Sequence, residues 1–431
     1  MKVKVAVISF GTIGAGVVRL LGEHSELLRQ RTGVEVSVGR IVDLDITTDR
    51  GVDTRGALLS KDYRDALGDP SIEIVIELIG GTGIARQVVS DALRAGKHVV
   101  TANKALLSAH GEELFRLAAE TQRELRFEAS VGGGIPIIRT IAESLASDRI
   151  HTIYGIVNGT TNFILTRMIE EQWAFEAALQ RAQELGFAEA DPTLDINGSD
   201  AKHKLSILAS LAFNSTVDLS QAYMEGIDKL DLQDVLYSTE LGYVIKLLAI
   251  AKLRDGEMTL RVHPTLVPKK CALASVSNEF NAVMLRSDYL GDSLYVGRGA
   301  GANPTATAVV GDICDLAAAM VRQQQVFASA FGTFNHYPTR SHLESTSRFY
   351  LRLSTEERPG ILAVITRILG EHSISISAII QKEASEDAPI PIVILTRSAT
   401  EKNLRAATAE IEKLPFVHGT PVVLHVEDIA L

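Results

Sequence analysis

The chain reads as an α/β protein with a parallel-sheet domain first, an α+β segment in the middle and a small βαββαβ unit at the end. Three observations predict this. Short apolar runs alternate with helically spaced segments from the N-terminus onward. A glycine loop, SFGTIGAG at 9–16, directly follows the first apolar run and opens a helix. Past residue 347 the pattern condenses into six elements, a stretch long enough to fold by itself.

Residues 3–10 (VKVAVISF) are almost wholly apolar and predict a buried strand, which Gly11 breaks before Val17, Leu20 and Leu21 continue at helical spacing. Strand character returns at 34–42, and IEIVIELIGG at 72–81 is another buried run closed by glycines. A helix at 83–95 and the strand KHVVTAN at 97–103 extend the alternation, as βαβ units of a parallel sheet do. After about 130 the punctuation changes. GGG at 132–134 precedes a helix near 136–146, the strand HTIYGIVNG at 151–159, helices at 161–171, 174–185 and 200–213, and a strand-rich stretch over 258–298. The helix near 303–325 carries small residues throughout ATAVVGDICDLAAAM, which suits close packing, back against the first domain included. Residues 328–347 are weakly patterned and read as linker. FYLRLST, a helix from Pro359 to His372, SISISAII, IPIVILTRS, a helix at 401–413 and a strand near 416–427 then give the ferredoxin-like order βαββαβ. The resulting domains are 1–130, 131–325 (with part of 300–325 closing the first domain), a linker at 326–347, and 348–431.

The length of 431 residues exceeds what one core usually supports, and 46% apolar with 22% charged residues is ordinary globular composition. A net charge of -10 without a block of like charges argues against a nucleic-acid groove or a basic membrane patch, and a small-molecule substrate suits it better. The N-terminus has no signal-type apolar core and no run reaches eighteen apolar residues, so a soluble, cytoplasmic protein is expected. Cys271 and Cys314 lie far apart in apolar surroundings and read as buried thiols. His98, His110, His151 and His203 form no zinc-ligand spacing.

In the glycine loop, Ser9, Gly11 and Gly14 occupy the three positions of a G-x-G-x-x-G pattern. Phe10, Gly11, Thr12, Ile13 and Gly14 would cradle a pyrophosphate at the helix N-terminus, as in a Rossmann-type domain. A plain glycine turn or a flavin dinucleotide are the alternatives. Asp43, at the end of the second strand, can accept from a ribose 2′-hydroxyl and repel a 2′-phosphate, which favours NAD. Arg40 keeps NADP open.

The densest polar cluster is GFAEADPTLDINGSDAKHKLSIL at 186–208. Asp200 and Lys204 stand four apart on a helix and share a face, so a surface ion pair competes with a functional reading. Oxidising an alcohol needs a group that handles the hydroxyl proton, and lysine can do so if its pKa is lowered. Lys104, after Asn103 in TANKALL, lies at the C-terminal end of a sheet strand, where open α/β sheets place ligands. Two ammonium groups near one oxygen would depress one pKa, Asp200 could hold Lys204, and Glu189 and Asp195 could face a substrate amine.

The segments SFGTIGAG, TANKALL, FEASVGGGIPI, GIVNGTTNFIL, EADPTLDINGSDAKHKL and GRGAGANPTATAVVGD, in that order, make the chain resemble monofunctional homoserine dehydrogenases with a C-terminal ACT domain over nearly its whole length. The resemblance implies reversible NAD(P)-dependent interconversion of L-homoserine and L-aspartate 4-semialdehyde, on the aspartate-derived route to threonine and methionine. It places the catalytic lysine on Lys204, the substrate-binding acids on Glu189, Asp195 and Asp200, and the lysine beside nicotinamide and substrate on Lys104. It also implies a monovalent-cation site, for sodium or potassium, at Glu128, Val131 and Gly133 through backbone carbonyls, and a cofactor-closing glycine at Gly301. The C-terminal unit resembles an ACT domain, which implies pairing through its sheet into a homodimer or homotetramer. It further implies an amino-acid effector, L-threonine, near Arg358, Pro359, Gly360, Ile361 and Leu362; a dimerisation module without ligand is the alternative. Two departures stand out: Ser9 replaces the first glycine, and Asp43 stands where relatives carry a base for the 2′-phosphate.

Overall fold

The computed structural model describes residues 2–322, 334–382 and 389–429. In chain order the first stretch runs β1 (Lys2–Ile8), α1 (Thr12–Glu23), α2 (Ser25–Thr32), β2 (Glu35–Val42), β3 (Leu58–Ser60), α3 (Arg64–Leu67), β4 (Ile72–Glu77), α4 (Gly83–Arg94), β5 (His98–Thr101), α5 (Lys104–Glu120) and β6 (Leu125–Arg126). The middle adds α6 (Ile137–Arg139), β7 (Ile150–Ile156), α7 (Gly159–Glu170), α8 (Phe175–Glu184), α9 (Thr193–Ile196), α10 (Ser199–Phe213), β8 (Tyr223–Met224) and α11 (Leu232–Glu240). It continues with β9 (Tyr243–Arg254), β10 (Glu257–Pro268), β11 (Phe280–Ser287), β12 (Asp292–Arg298) and α12 (Ala302–Val321). The last stretch is β13 (Thr346–Thr355), α13 (Ile361–Glu371), β14 (Ile376–Gln381), β15 (Ile390–Thr396), β16 (Ala399–Thr400), α14 (Glu401–Ile411) and β17 (Val422–Val426). Residues 323–333, which include the expected helix end and the start of the linker, lie outside the described residues.

The chain divides into two compact units. One holds Met1–Ile153, His203–Val217 and Asn281–Tyr337; the other holds Tyr154–Lys202, Asp218–Phe280 and Pro338–Leu431.

In the first unit, β3-β2-β1-β4-β5-β6 form an all-parallel Rossmann-like sheet. The chain winds outward in opposite directions from β1, so the crevice beyond the C-terminal ends of β1 and β4 is the switch point where such sheets bind ligands. Val3, Val5 and Val7 of β1 are buried with Val17, Val18 and Leu21 of α1 and with Val309, Val310 and Ile313 of α12. A Cβ at Gly16 would lie 3.4 Å from both the Ala302 oxygen and the Ala306 Cβ, so the small residues of α12 let it sit closely on α1. Among the described residues, α12 is the one helix long and apolar enough to cross a membrane, but most of its apolar stretch is buried, as in a core helix.

In the second unit the strands run β9-β10-β17-β13-β15-β14. β9 and β10 pair antiparallel over their whole length across a tight turn in which Asp255 (φ 52°) and Gly256 (φ 77°) are both left-handed. The C-terminal module orders its strands β17-β13-β15-β14, that is fourth, first, third, second, the ferredoxin-like arrangement of an ACT domain. Leu351, Ile365, Ile368, Ile392, Ile394 and Leu404 make its core between the sheet and α13 and α14.

Three elements differ from expectation. The helix expected at 136–146 is only α6 followed by a π-turn over Thr140–Ser144. The strand expected through 81 stops at Glu77, because the Glu77 carboxylate accepts the N–H groups of Ile79 (2.7 Å) and Gly80 (3.3 Å) and so bends the chain out of the sheet. Strand structure in the middle region begins at Tyr243 rather than 258.

Candidate active site

The glycine loop follows β1. Ser9 adopts φ 82°, the left-handed region that a glycine takes without strain, and its N–H donates to the Val42 oxygen at 2.8 Å. A Cβ on Gly14 would come within 2.2 Å of the Ser9 oxygen, so only glycine lets α1 start this close to the loop. Among the described residues, a Cβ on Gly11 would meet nothing within 4 Å and no side chain caps α1. Open space therefore lies beside a helix N-terminus whose N–H groups have no side-chain partner, the arrangement a pyrophosphate requires. An adjoining cleft of about 230 Å³ is lined mainly by apolar groups, among them Leu44, Tyr63, Ile84 and Val88, together with Ser9 and Asp43. These residues fit a dinucleotide.

Asp43 also braces the loop. The Phe10 N–H donates to its Oδ2 at 2.5 Å and the Asp45 N–H to its Oδ1 at 2.9 Å. Thr12 is exposed and Ile13 half-buried at the start of α1. Arg40 pairs with Asp69 at 3.2 Å, in the turn that precedes β4 and thus on the N-terminal side of the sheet. Lys61 lines the cleft alongside Asp43.

Lys104 is the first residue of α5, and a buried network sets its position. The Thr101 hydroxyl donates to Glu77 Oε2 at 2.6 Å, and the Asn103 N–H donates to Thr101 Oγ1 at 3.0 Å. The Asn103 amide donates to the Gly81 oxygen at 2.7 Å while its Oδ1 accepts from Leu106 N–H at 3.1 Å, capping the helix. Glu77, wholly buried, is a contributor that the sequence reading missed.

Glu128, Val131 and Gly133 lie in one turn. Glu128 opens a 3₁₀ turn, its carboxylate accepts from Ile138 N–H (2.9 Å) and Arg139 N–H (2.8 Å), and its own N–H donates to Asp312 on α12 at 2.9 Å. Burial raises both acids, Asp312 to about 7. A Cβ on Gly133 would meet the Gly299 oxygen at 2.5 Å, and Gly134 N–H donates to the Arg298 oxygen at 2.9 Å, so this turn packs against the loop that ends at Gly301, the residue preceding α12. Cys271 is buried, and burial pushes the half-buried Cys314 thiol up to about 11.

In the second unit, Asp195 lies on α9 and Asp200 in the first turn of α10. One amide joins them: Asn158 Nδ2 donates to Asp195 Oδ1 at 2.7 Å and to Asp200 Oδ2 at 2.9 Å. The Asn158 oxygen faces the other way, accepting from Thr161 N–H at 2.9 Å as the N-cap of α7. The Thr160 hydroxyl lies 2.5 Å from the Phe187 oxygen and 3.3 Å from Asp195 Oδ2. Lys204, four residues after Asp200 on α10, belongs to the first unit, and both side chains are buried. Glu189 is exposed in the preceding loop, held through its backbone oxygen by Gln183. Asn158 and Thr160 went unassigned in the sequence, although GIVNGTT contains them; an asparagine opening a helix is the signal that was available.

In the ACT module, Arg358, Pro359 and Gly360 are exposed before α13, while Ile361 is buried and Leu362 half-buried in its first turn. The Arg358 guanidinium lies 5.7 Å from the centre of the Phe416 ring.

Three family models match the chain: homoserine dehydrogenase, NAD binding domain, over residues 10–128; homoserine dehydrogenase over residues 136–314; and ACT domain over residues 349–416. A homoserine dehydrogenase of Neisseria gonorrhoeae is 41% identical over 432 residues, covering 99% of each chain. The chain belongs to the homoserine dehydrogenase family. Its architecture is that of the monofunctional form with a C-terminal ACT domain, an NAD(P)-dependent oxidoreductase. The crystal structure of a homoserine dehydrogenase from Thiobacillus denitrificans matches it at a TM-score of 0.94, with 42% identity and 99% of both chains covered. A hyperthermophilic archaeal homoserine dehydrogenase in complex with NADPH matches at a TM-score of 0.62 and 27% identity, covering 73% of this chain and 97% of its own.

Proposed function

We propose that Lys204, assisted by Lys104, handles the hydroxyl proton while Glu189, Asp195 and Asp200 hold the substrate. The reaction is the family's interconversion of L-homoserine and L-aspartate 4-semialdehyde. When bound, the dinucleotide supplies the hydride acceptor for the alcohol and the donor for the aldehyde. Phe10 to Gly14, Asn103, Lys104 and Gly301 are the residues assigned to hold it. In oxidation the Lys204 amine takes the proton from the side-chain hydroxyl; in reduction its ammonium polarises the carbonyl oxygen and returns that proton. Asp200, one turn earlier on α10, orients Lys204. The observation that carries this reading is the joining of Asp195 and Asp200 on one amide, directly ahead of a buried lysine. Lys204→Ala is expected to lower kcat by roughly 10²-fold or more, as for a positioned proton-transfer group. A raised KM at unchanged kcat would instead make it a binding residue.

The cofactor reading favours NAD over NADP. Asp43 lines the cleft, and Arg40 is engaged with Asp69. Lys61, which shares the cleft, is the cation that would weaken the preference. Sodium or potassium is assigned to the carbonyls of Glu128, Val131 and Gly133, supported by the buried acids Glu128 and Asp312 at that turn. L-Threonine is assigned to Arg358–Leu362 as a feedback inhibitor, and the chain to a cytoplasmic homodimer or homotetramer with domains at 1–130, 131–325 and 348–431. Initial rates with L-homoserine, measured with NAD+ and NADP+ and with added L-threonine, test the set. Preference for NADP+ would overturn the Asp43 argument, an unaffected rate the threonine assignment, and no turnover by folded protein the substrate.

A further inference from the structure

We propose that Asn158 is a positioning residue for the reaction: its amide holds Asp195 and Asp200 together as a seat for the substrate ammonium. This rests on the assignment of the two aspartates to substrate binding.

Asn158 is 5% exposed, and its oxygen is committed to the first turn of α7, where it accepts from the Thr161 N–H at 2.9 Å and lies 3.0 Å from the Thr161 hydroxyl. With the oxygen fixed there, both N–H bonds must point the other way, and both find a carboxylate, at 2.7 and 2.9 Å. All the hydrogen-bonding capacity of the side chain is therefore used, and the helix cap and the aspartate pair are held by opposite ends of one rigid group.

The neutrality of that group matters as much as its geometry. Two carboxylates brought together repel, and each would raise the pKa of the other. Two amide donors favour the ionised forms without cancelling either charge, so the pair keeps its attraction for a cation. The two acids also come from different elements, α9 and α10, joined by the turn at Asn197 and Gly198. Asn158 fixes their spacing from outside that turn.

The cap role and the clamp role can be separated. Serine and aspartate are both good N-caps, so Asn158→Ser and Asn158→Asp keep the start of α7 while removing both amide donors. In N158S, kcat/KM for L-homoserine is expected to fall by roughly 10- to 100-fold, the scale of one or two hydrogen bonds to charged groups. Thermal stability and the dissociation constant for NAD(P)+ should stay near wild type. The fall should lie mainly in KM, because the pair seats the substrate, and it should be larger in N158D, where a third carboxylate repels the pair. A wild-type kcat/KM in folded N158S or N158D would overturn the proposal, as would a loss that falls on kcat alone or only tracks lost stability and cofactor binding. D195N and D200N, measured alongside, separate the two layers. If these leave homoserine kinetics unchanged, the underlying site assignment fails; if they impair it and N158S does not, only the role of Asn158 fails.

Discussion

A methyl group at residue 14 and one at residue 11 should have different consequences, although both glycines belong to one fingerprint. At residue 14 the added carbon would lie 2.2 Å from a backbone oxygen, so the turn must open. Gly14→Ala is expected to lower the melting temperature and to raise the NAD+ dissociation constant at least tenfold. At residue 11 the added carbon meets no atom of the described residues within 4 Å and occupies space assigned to the cofactor. Gly11→Ala should therefore keep the melting temperature and raise only the dissociation constant; thermal melts beside fluorescence titration with NAD+ make the comparison. Steric requirements of this kind are legible in a sequence because the glycines are close together. The left-handed Ser9 was not legible, since serine gives no sign of its φ. Nor were Glu77 and Asn158, whose partners Thr101 and Asp195 lie 24 and 37 residues away. Such groups acquire roles only when the chain has folded.

At the scale of elements, β1, β2, β4 and β5 of the first sheet and the βαββαβ order that holds β13, β14, β15 and β17 could be read from apolar periodicity and glycine breaks, whereas the short β3, β6 and β16 could not. β9 was harder, because KLLAIAKL suits a buried helix or a buried strand equally. The signal left unread was Asp255-Gly256, a dipeptide that takes two left-handed residues in a hairpin turn and so pairs the runs on either side. The joint between α11 and β13 depends on charge that no periodicity reveals. Asp234, wholly buried on α11, accepts two bonds from Arg352 at 2.6 and 2.9 Å and one from the Tyr350 hydroxyl at 2.9 Å. Removing one member leaves a desolvated charge behind. Asp234→Ala should cost about 3–5 kcal/mol in urea denaturation, whereas Asp234→Leu combined with Arg352→Met should recover most of that loss, since neither charge remains. Equal destabilisation in the single and double variants would show that shape, not charge, dominates this joint.

At the scale of the whole molecule, acid sensitivity is expected to originate in the second unit, where β10 and β17 bring His263 and His425 within 3.9 Å, centre to centre. Burial, first, and then neighbouring cations hold both imidazoles well below their usual range: Arg261 and Lys252 for His263, and Arg261 and Arg405 for His425. Other charges face the pair. Glu401 stands 3.6 Å from His425, Arg405 contributes from α14, and Glu427 binds Lys252 and Arg261, each at 2.7 Å. The histidines therefore stay neutral in the folded chain but take up protons near pH 6.5 once unfolded. Because the unfolded state binds more protons below that pH, stability must fall as pH drops. Two groups of this kind remove about 3 kcal/mol between pH 7.5 and 5.5. Hydrogen exchange corrected for its intrinsic pH dependence should show protection in β10 and β17 falling over this window, and His263→Phe should reduce the fall by about half. Unchanged protection in these strands down to pH 5.5 would mean that the folded state protonates the pair after all, with Glu401 or Glu427 supplying the compensating charge.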